Sequence, residues 1–176
     1  MRNRISTKHK IGCGDCNRIN INNNKISPKA KAFAQGDILR NILAKSLNLD
    51  IEEKEIIREF IFVVHDILCK LQENKYDLSH LRTGTIILNK EINKITKNAC
   101  DVPEFVSFVS EPGITLDKLR TEVRLFEVLL IEIIDDKEAL IIINRLSTYL
   151  FWVAWKYYQC DDANIFRRKS NFDKFT

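Results

Sequence analysis

Residues 115–134 form an apolar segment with helical periodicity, and three charged side chains cross it in a narrow stripe. At 100° per residue, one broad face carries Leu116, Leu119, Val123, Phe126, Leu130 and Ile133. Leu125, Val128 and Leu129 cover much of the opposite side, and Arg120, Arg124 and Glu127 lie between the two apolar surfaces. Because a helix that is apolar nearly all round is a buried one, this pattern predicts a helix inside a helical core.

The charged stripe has two competing explanations. Buried charges cost free energy unless they are paired or face a polar cavity, and Arg120 repels Arg124 across one helical turn. Two adjacent guanidinium groups suit a polyphosphate or a carboxylate ligand, since each offers a planar fork of donors. The alternative is an internal network, with Arg124 paired to Glu127, and Arg120 paired to Asp117 or a distant acid. Asn144 and Arg145, early in the next apolar segment, can face the same cavity.

The rest of the chain predicts an all-α, antiparallel bundle of four or five helices. With 176 residues, 45% of them hydrophobic, and only five Gly and three Pro, the chain suits one domain of long helices. We expect helices over about 29–47, 50–71, 86–97, 115–134 and 138–159, with Asp50 and Glu53 forming a capping box and Thr115 capping the fourth. Pro112 and Gly113 are expected to break the chain before that helix. The predicted organisation is a loop region (1–28), the bundle (29–160) and a polar tail (161–176).

Several classes of function fit poorly. The net charge of +4 comes without a basic face interleaved with aromatic residues, which argues against nucleic-acid binding. The most apolar stretch, 139–155, is interrupted by Asn144 and Arg145, so we expect no membrane span. Five cysteines and no apolar leader favour reduced thiols in a cytoplasmic protein. Cys13 and Cys16 form a lone C-x-x-C pair, and a structural zinc needs two more ligands, so no metal site is predicted.

Three segments resemble the PduO-type ATP:cob(I)alamin adenosyltransferases. Residues 144–151 read NRLSTYLF, which looks like the family's NRLSDYLF signature. Residues 119–127 are similar to its A-R-T-x-x-R-R-A-E helix, and residues 108–113 resemble its F-I-L-P-G-G segment. The three keep the family's order over about 104–158. The first half is looser: residues 6–8 resemble the start of the T-K-T-G-D-K-G-T-T loop, and Asp37 stands where the family has the Asp of V-D-E-L.

The resemblance implies a five-helix up-down bundle, ferritin-like and cobalamin adenosyltransferase-like, that assembles as a homotrimer and binds ATP between subunits. The implied reaction is attack by cob(I)alamin on the ribose 5′ carbon of ATP, which expels triphosphate, usually accompanied by Mg²⁺. The implied partners are therefore a nucleotide, a corrinoid and further copies of the chain.

Family roles carry over to matching positions. Arg124 is expected to bind ATP phosphate, and Glu127 and Asn144 to orient the nucleotide. Arg120 is expected to pair with Asp37 across the subunit interface. Phe108 is expected against the lower face of the corrin, although Val109 matches the strict spacing, and Lys8 belongs to the nucleotide loop.

The chain also departs from the family pattern. Leu125 replaces the second Arg of the helix motif, Thr148 replaces the Asp of the last signature, and Ile114 replaces a Gly. Residues 12–17 keep glycines and an Asp but lack the loop's Lys and Thr residues. Two functions therefore stay open: an adenosyltransferase, or a non-catalytic relative that binds nucleotide or corrinoid or serves as a scaffold.

Overall fold

Five helices make up nearly all of the described structure. The computed structural model describes residues 10–11, 19–20, 27–97, 99, 106, 108 and 110–158. The helices are α1 (Pro28–Ser46), α2 (Lys54–Gln72), α3 (Leu81–Thr96), α4 (Glu111–Ile131) and α5 (Lys137–Tyr158). Before them, β1 (Lys10–Ile11) pairs antiparallel with β2 (Ile19–Asn20), with Lys10 opposite Asn20. The expected all-α bundle is confirmed.

Helix α4 occupies the middle of the bundle. It packs against α1 on one flank and α5 on the other, while α2 packs on α1 and α3 on α5. The core between these helices is apolar, and its largest fully buried side chains are Tyr149 and Phe126. Sequence periodicity explains the arrangement, because each helix turns one apolar stripe toward this core.

Helix α1 begins with a cap and contains a close helix contact. The Ser27 hydroxyl accepts a hydrogen bond from the Ala30 amide at 3.2 Å, and Pro28 occupies the first turn. In its middle, a Cβ added at Gly36 would lie 2.8 Å from Leu68 Cδ2. The absence of a side chain at Gly36 therefore lets α1 and α2 approach closely.

Three predicted helix starts are wrong by several residues. Helix α2 begins at Lys54, and the expected Asp50–Glu53 capping box is wrong: Glu53 makes no capping hydrogen bond, and its carboxylate accepts from Lys156 instead. Helix α3 begins at Leu81 rather than residue 86, since Leu81 is buried and Gly84 packs near Ile142 instead of ending the helix.

The fourth helix also begins earlier than predicted. Ser110, not Thr115, caps α4, and its hydroxyl accepts a hydrogen bond from the Gly113 amide at 3.3 Å. Pro112 lies in the first turn, where its missing N–H is not needed. The expected break at Pro112 and Gly113 is therefore the first turn of α4.

One surface of α4 is exposed, contrary to the expectation of a helix buried nearly all round. Leu125 is 47% exposed, Val128 57% and Ile131 61%. Leu116, Leu119 and Val123 are fully buried, as predicted. The difference arises because α1 and α5 cover the two flanks of α4 and no described element of the chain covers its outer side. None of the described helices has the length and apolarity needed to cross a membrane.

Candidate functional site

Helices α4 and α5 bring two of the predicted site residues into direct contact. Asn144 Nδ2 donates a hydrogen bond to Glu127 Oε1 at 3.0 Å. Asn144 is exposed and Glu127 half-buried, so the pair lies at the surface of the α4–α5 seam. One carboxylate oxygen and the amide oxygen stay available as acceptors at the same spot.

Arg120 has a partner on its own helix. Its Nε donates to Asp117 Oδ1 at 2.7 Å, and the two side chains are 25% and 31% exposed. This confirms the Arg120–Asp117 part of the internal network that the sequence suggested as an alternative.

Arg124 is in a different situation. Its side chain is exposed, and among the residues that the structure describes it has no hydrogen-bond or ion-pair partner. The alternative pairing with Glu127 is not formed, and Glu127 accepts from Asn144 instead. Within the described ranges, Arg124 thus presents an uncompensated guanidinium group one turn from the Glu127–Asn144 pair.

Asp37 belongs to α1, which packs against α4 on the flank opposite to α5. Gln35 of α1 donates from Nε2 to Glu122 Oε2 at 2.6 Å and to the Glu122 carbonyl oxygen at 3.2 Å, which sets α1 against that flank. Glu122 is two positions from Arg120, so the two side chains point about 200° apart around the helix. Asp37 Oδ1 lies 3.8 Å from Arg40 Nη1. A pair between Arg120 and Asp37 across subunits stays a prediction.

Phe108 is buried in this chain. It is 8% exposed and belongs to the apolar core, and a Cβ added at Gly113 would lie 2.8 Å from Phe108 Cβ. Gly113 therefore makes room for the Phe108 side chain at the start of α4. The predicted contact of Phe108 with a corrin stays a prediction. Lys8, expected in the nucleotide loop, and Val109, the alternative to Phe108, lie outside the described residues. The same is true of Cys13 and Cys16.

Two cavities of the described structure lie away from the charged stripe. A polar cavity of about 560 Å³ lies at the end of the bundle and includes Lys29, Lys70, Asp135 and Asp136. A smaller apolar groove of about 220 Å³ runs between α2 and α3, over Gly84 and Ile142. Neither includes a residue of the predicted site. In the described ranges, no group of three His, Cys, Asp or Glu side chains is placed to hold a metal ion.

A second polar cluster joins the end of α5 to the start of α2. Lys156 Nζ donates to Glu52 Oε2 at 2.9 Å and to Glu53 Oε1 at 3.0 Å, and the Glu52 amide donates to the Tyr157 hydroxyl at 2.9 Å. Burial lowers the pKa of Lys156, but its hydrogen bonds to the two glutamates outweigh that effect and raise it. The hydrogen bond from Lys156 lowers the pKa of Glu52. This cluster stabilises the bundle far along α5 from Asn144.

Sequence reasoning missed the Gln35–Glu122 contact. Gln35 is 6% exposed and falls on the same face of α1 as Ala32, Leu39 and Leu43. A lone amide on an apolar stripe is the signal that could have found it, because a buried amide requires hydrogen-bond partners.

Comparison with known proteins places the chain in a family. The sequence model described as "Cobalamin adenosyltransferase" matches residues 26–157. A search of curated protein sequences finds no match. Among solved structures, a phenylalanine-to-histidine variant of a PduO-type ATP:corrinoid adenosyltransferase from Lactobacillus reuteri, complexed with cobalamin and ATP, is similar at 19% identity. The two structures match with a TM-score of 0.66, and the match covers 76% of this chain and 79% of that one.

An arginine-to-lysine variant of the same enzyme, complexed with ATP, matches at 20% identity and a TM-score of 0.66, over 85% of this chain and 89% of that one. At such identities the structural likeness establishes the fold alone. The sequence model, in contrast, spans three quarters of the chain. The chain therefore belongs to the cobalamin adenosyltransferase family.

Proposed function

We propose that this protein transfers the 5′-deoxyadenosyl group of ATP to the cobalt of a reduced corrinoid. The observation that carries the proposal is the exposed Arg124, which has no partner among the residues that the structure describes, beside the Glu127–Asn144 hydrogen bond. Family membership supports the same reaction, and the similar Lactobacillus reuteri protein is complexed with cobalamin and ATP.

The described side chains suit the recognition of a nucleotide. Arg124 supplies a planar set of N–H donors for phosphate oxygens. Glu127 has a second carboxylate oxygen, and Asn144 an amide oxygen, that can accept hydrogen bonds from ribose hydroxyls or the adenine amino group. Because one amide N–H of Asn144 already binds Glu127, the orientation of both acceptors is set before ligand arrives. Catalysis then consists of holding the ribose 5′ carbon in line with the nucleophile and stabilising the charge of the departing triphosphate.

The exposed face of α4 supports a homo-oligomer, which we propose to be a trimer. Ile38 of α1, the helix that packs against α4, is also 46% exposed and follows Asp37 in the sequence. The exposed apolar residues of α4 are Ile114, Leu125, Val128 and Ile131. A second copy seated on this face removes these side chains from water and can bring its Asp37 toward Arg120. The proposed ATP site is then completed between subunits.

Mg²⁺ and the corrinoid enter the proposal differently. The described residues do not form an acidic cluster for a cation, so we place Mg²⁺ with the triphosphate rather than on the protein. Phe108 is the proposed corrin contact, and its burial means that its side chain has to move for the contact to form. A cytoplasmic location, where thiols stay reduced, is also part of the proposal.

The second candidate is a non-catalytic nucleotide- or corrinoid-binding relative. Thr148 favours it, because the hydroxyl at this position donates to the Asn144 carbonyl oxygen at 3.4 Å and cannot replace the charge of the family's Asp. The neutral Leu125 and the altered residues 12–17 point the same way.

Two measurements separate the candidates. The melting temperature is followed while ATP and Mg²⁺ are added, and reduced cobalamin is then supplied while absorbance reports adenosylcobalamin. An upward shift together with product supports the transferase, and a shift without product supports the non-catalytic relative. Unchanged melting at saturating ATP and Mg²⁺ rules out nucleotide binding and overturns the proposal.

A further inference from the structure

Within the described residues, α4 has a polar side-chain contact with the helix on each of its flanks. On one side Gln35 of α1 donates twice to Glu122, and on the other side Asn144 of α5 donates to Glu127. Glu122 and Glu127 are five positions apart, which separates their side chains by about 140° around the helix axis. Two contacts at that angle fix the rotation of α4 about its axis, which apolar packing alone leaves less well determined.

The Gln35 contact is the buried one of the two. Gln35 is 6% exposed, and it bonds both the side chain and the backbone of Glu122. A buried hydrogen bond to a carboxylate is stronger than one between neutral groups and is costly to break. The bond to the backbone carbonyl oxygen also fixes the position of α4 along α1, whereas a bond to the side chain alone allows sliding.

The position of this contact relates it to the proposed site. Glu122 lies two residues from Arg120 and two from Arg124, and Gln35 lies two residues from Asp37. Any rotation of α4 moves the Arg124 guanidinium group, and any sliding changes the offset between Asp37 and the stripe. Resting on the proposed function, we infer that Gln35 is a positioning residue, which through Glu122 sets the direction in which α4 presents Arg124 to ATP.

The test uses the full chain and three substitutions at one position. Gln35→Leu removes both hydrogen bonds to Glu122 but keeps a side chain of similar size. Gln35→Glu places a second carboxylate against Glu122, which adds repulsion. Gln35→Lys supplies a charged donor that can again bond the Glu122 carboxylate. Ser46→Ala is the matched control, because Ser46 is also buried on α1 but its hydroxyl donates within the helix, to the Leu43 carbonyl oxygen at 2.7 Å.

We expect Gln35→Leu and Gln35→Glu to weaken ATP binding by about tenfold or more, which corresponds to about 1.4 kcal/mol. Gln35→Lys should regain most of the affinity, and Ser46→Ala should keep it. Loss of affinity in step with melting temperature across all four variants, without recovery in Gln35→Lys, overturns the positioning role in favour of a structural one.

Hydrogen exchange without ligand separates this inference from the proposed function. The account predicts faster exchange of α4 amides in Gln35→Leu, with α2 unchanged, and recovery in Gln35→Lys. If the wild-type protein does not bind ATP, the proposed function fails. The exchange pattern alone then decides whether the Gln35–Glu122 contact fixes the orientation of α4. Unchanged α4 exchange in Gln35→Leu overturns the inference.

Discussion

A hydrogen bond of 3.0 Å from Asn144 Nδ2 to Glu127 Oε1 joins α5 to α4, the two helices whose sequences resemble the family's motifs. The contact accounts for a carboxylate on a largely apolar helix, since Glu127 is held there by a hydrogen bond from a neutral donor. It also leaves Arg124 without a carboxylate partner in the part of the chain that the structure describes.

The Asn144–Glu127 contact predicts the effect of changing the amide to an acid. Asn144→Asp places two carboxylates within hydrogen-bond distance, so repulsion should open the α4–α5 seam locally and weaken ATP binding by about tenfold. Asn144→Ser, which keeps a donor, should lose less. Isothermal titration with ATP and Mg²⁺ checks both, and equal affinity for wild type and Asn144→Asp would show that this pair does not shape the site.

Arg124→Ala should separate ligand binding from stability. Because Arg124 is exposed and has no described partner, its removal should change the free energy of unfolding by less than about 0.5 kcal/mol. The ATP-induced rise in melting temperature should nevertheless disappear. Arg82→Ala, an exposed arginine on α3, is the control and should keep the ATP response.

The exposed apolar face of α4 predicts the assembly state. Val128→Glu places a charge in the proposed subunit contact and should convert the oligomer to a monomer, as measured by light scattering after gel filtration. Phe62 of α2 is equally exposed, at 57%, and serves as the control, since it lies off this face. A trimer in Phe62→Glu and a monomer in Val128→Glu are expected. A monomeric wild-type protein contradicts the proposed interface.

Gly36 and Gly84, in α1 and α3, should respond differently to alanine. At Gly36 the new Cβ meets three side-chain atoms of buried Leu68 at 2.8, 3.0 and 3.2 Å, so overpacking should exceed the helix preference of alanine. The free energy of unfolding should then fall by about 1–2 kcal/mol. At Gly84 only Ile142 Cδ1, the end of a flexible side chain, lies closer than 3.0 Å. The free energy of unfolding of Gly84→Ala, measured by urea denaturation, should be within about 0.5 kcal/mol of that of the wild type. The helix preference of alanine and the close contact with Ile142 offset each other there.

The Lys156 cluster predicts a pH window. The pKa of Glu52 is lowered from 4.5, so its contribution is present above that pH and is lost as pH falls through the folded-state pKa. The pKa of Lys156 is raised from 10.5, so its contribution is present below that pH and is lost as pH rises through the folded-state pKa.

Lys156→Met should lower the melting temperature at neutral pH by about 5 °C, because it leaves the Glu53 side chain, which is only 9% exposed, without its cationic partner, while the exposed Glu52 pair contributes little. The difference from wild type should shrink below pH 4.5 and also at high salt. A difference that stays constant from pH 3 to pH 7 would assign the effect to lost packing of the lysine side chain.

Helix periodicity and a few motif residues allowed much of this fold to be predicted. The predicted bounds of α1 and α5 are correct to within a residue, since their apolar stripes are long and their ends carry Pro28 and Asp136. The starts of α2, α3 and α4 could not be placed, because Ile51, Leu81 and Ser110 depend on tertiary burial or local capping rather than on periodicity.

Part of the site was also predictable. Arg120, Arg124 and Glu127 stood out because charges are rare on an apolar helix, and the structure places Asn144 against Glu127. The exposure of Leu125 and Val128 was not predictable, because apolar periodicity does not say which side of a helix its own chain covers. The partner of Asp37 in an assembly stays a prediction.

Formation of adenosylcobalamin in a single turnover tests the central claim most directly. The full-length protein is mixed with ATP, Mg²⁺ and cob(I)alamin in the absence of oxygen, and the product and released triphosphate are both quantified. The account predicts one triphosphate for each adenosylcobalamin formed by the wild type and Arg82→Ala, and at least about a hundredfold slower formation by Arg124→Ala. Equal rates for the wild type and Arg124→Ala, or no product from a wild-type protein that binds ATP, would contradict it.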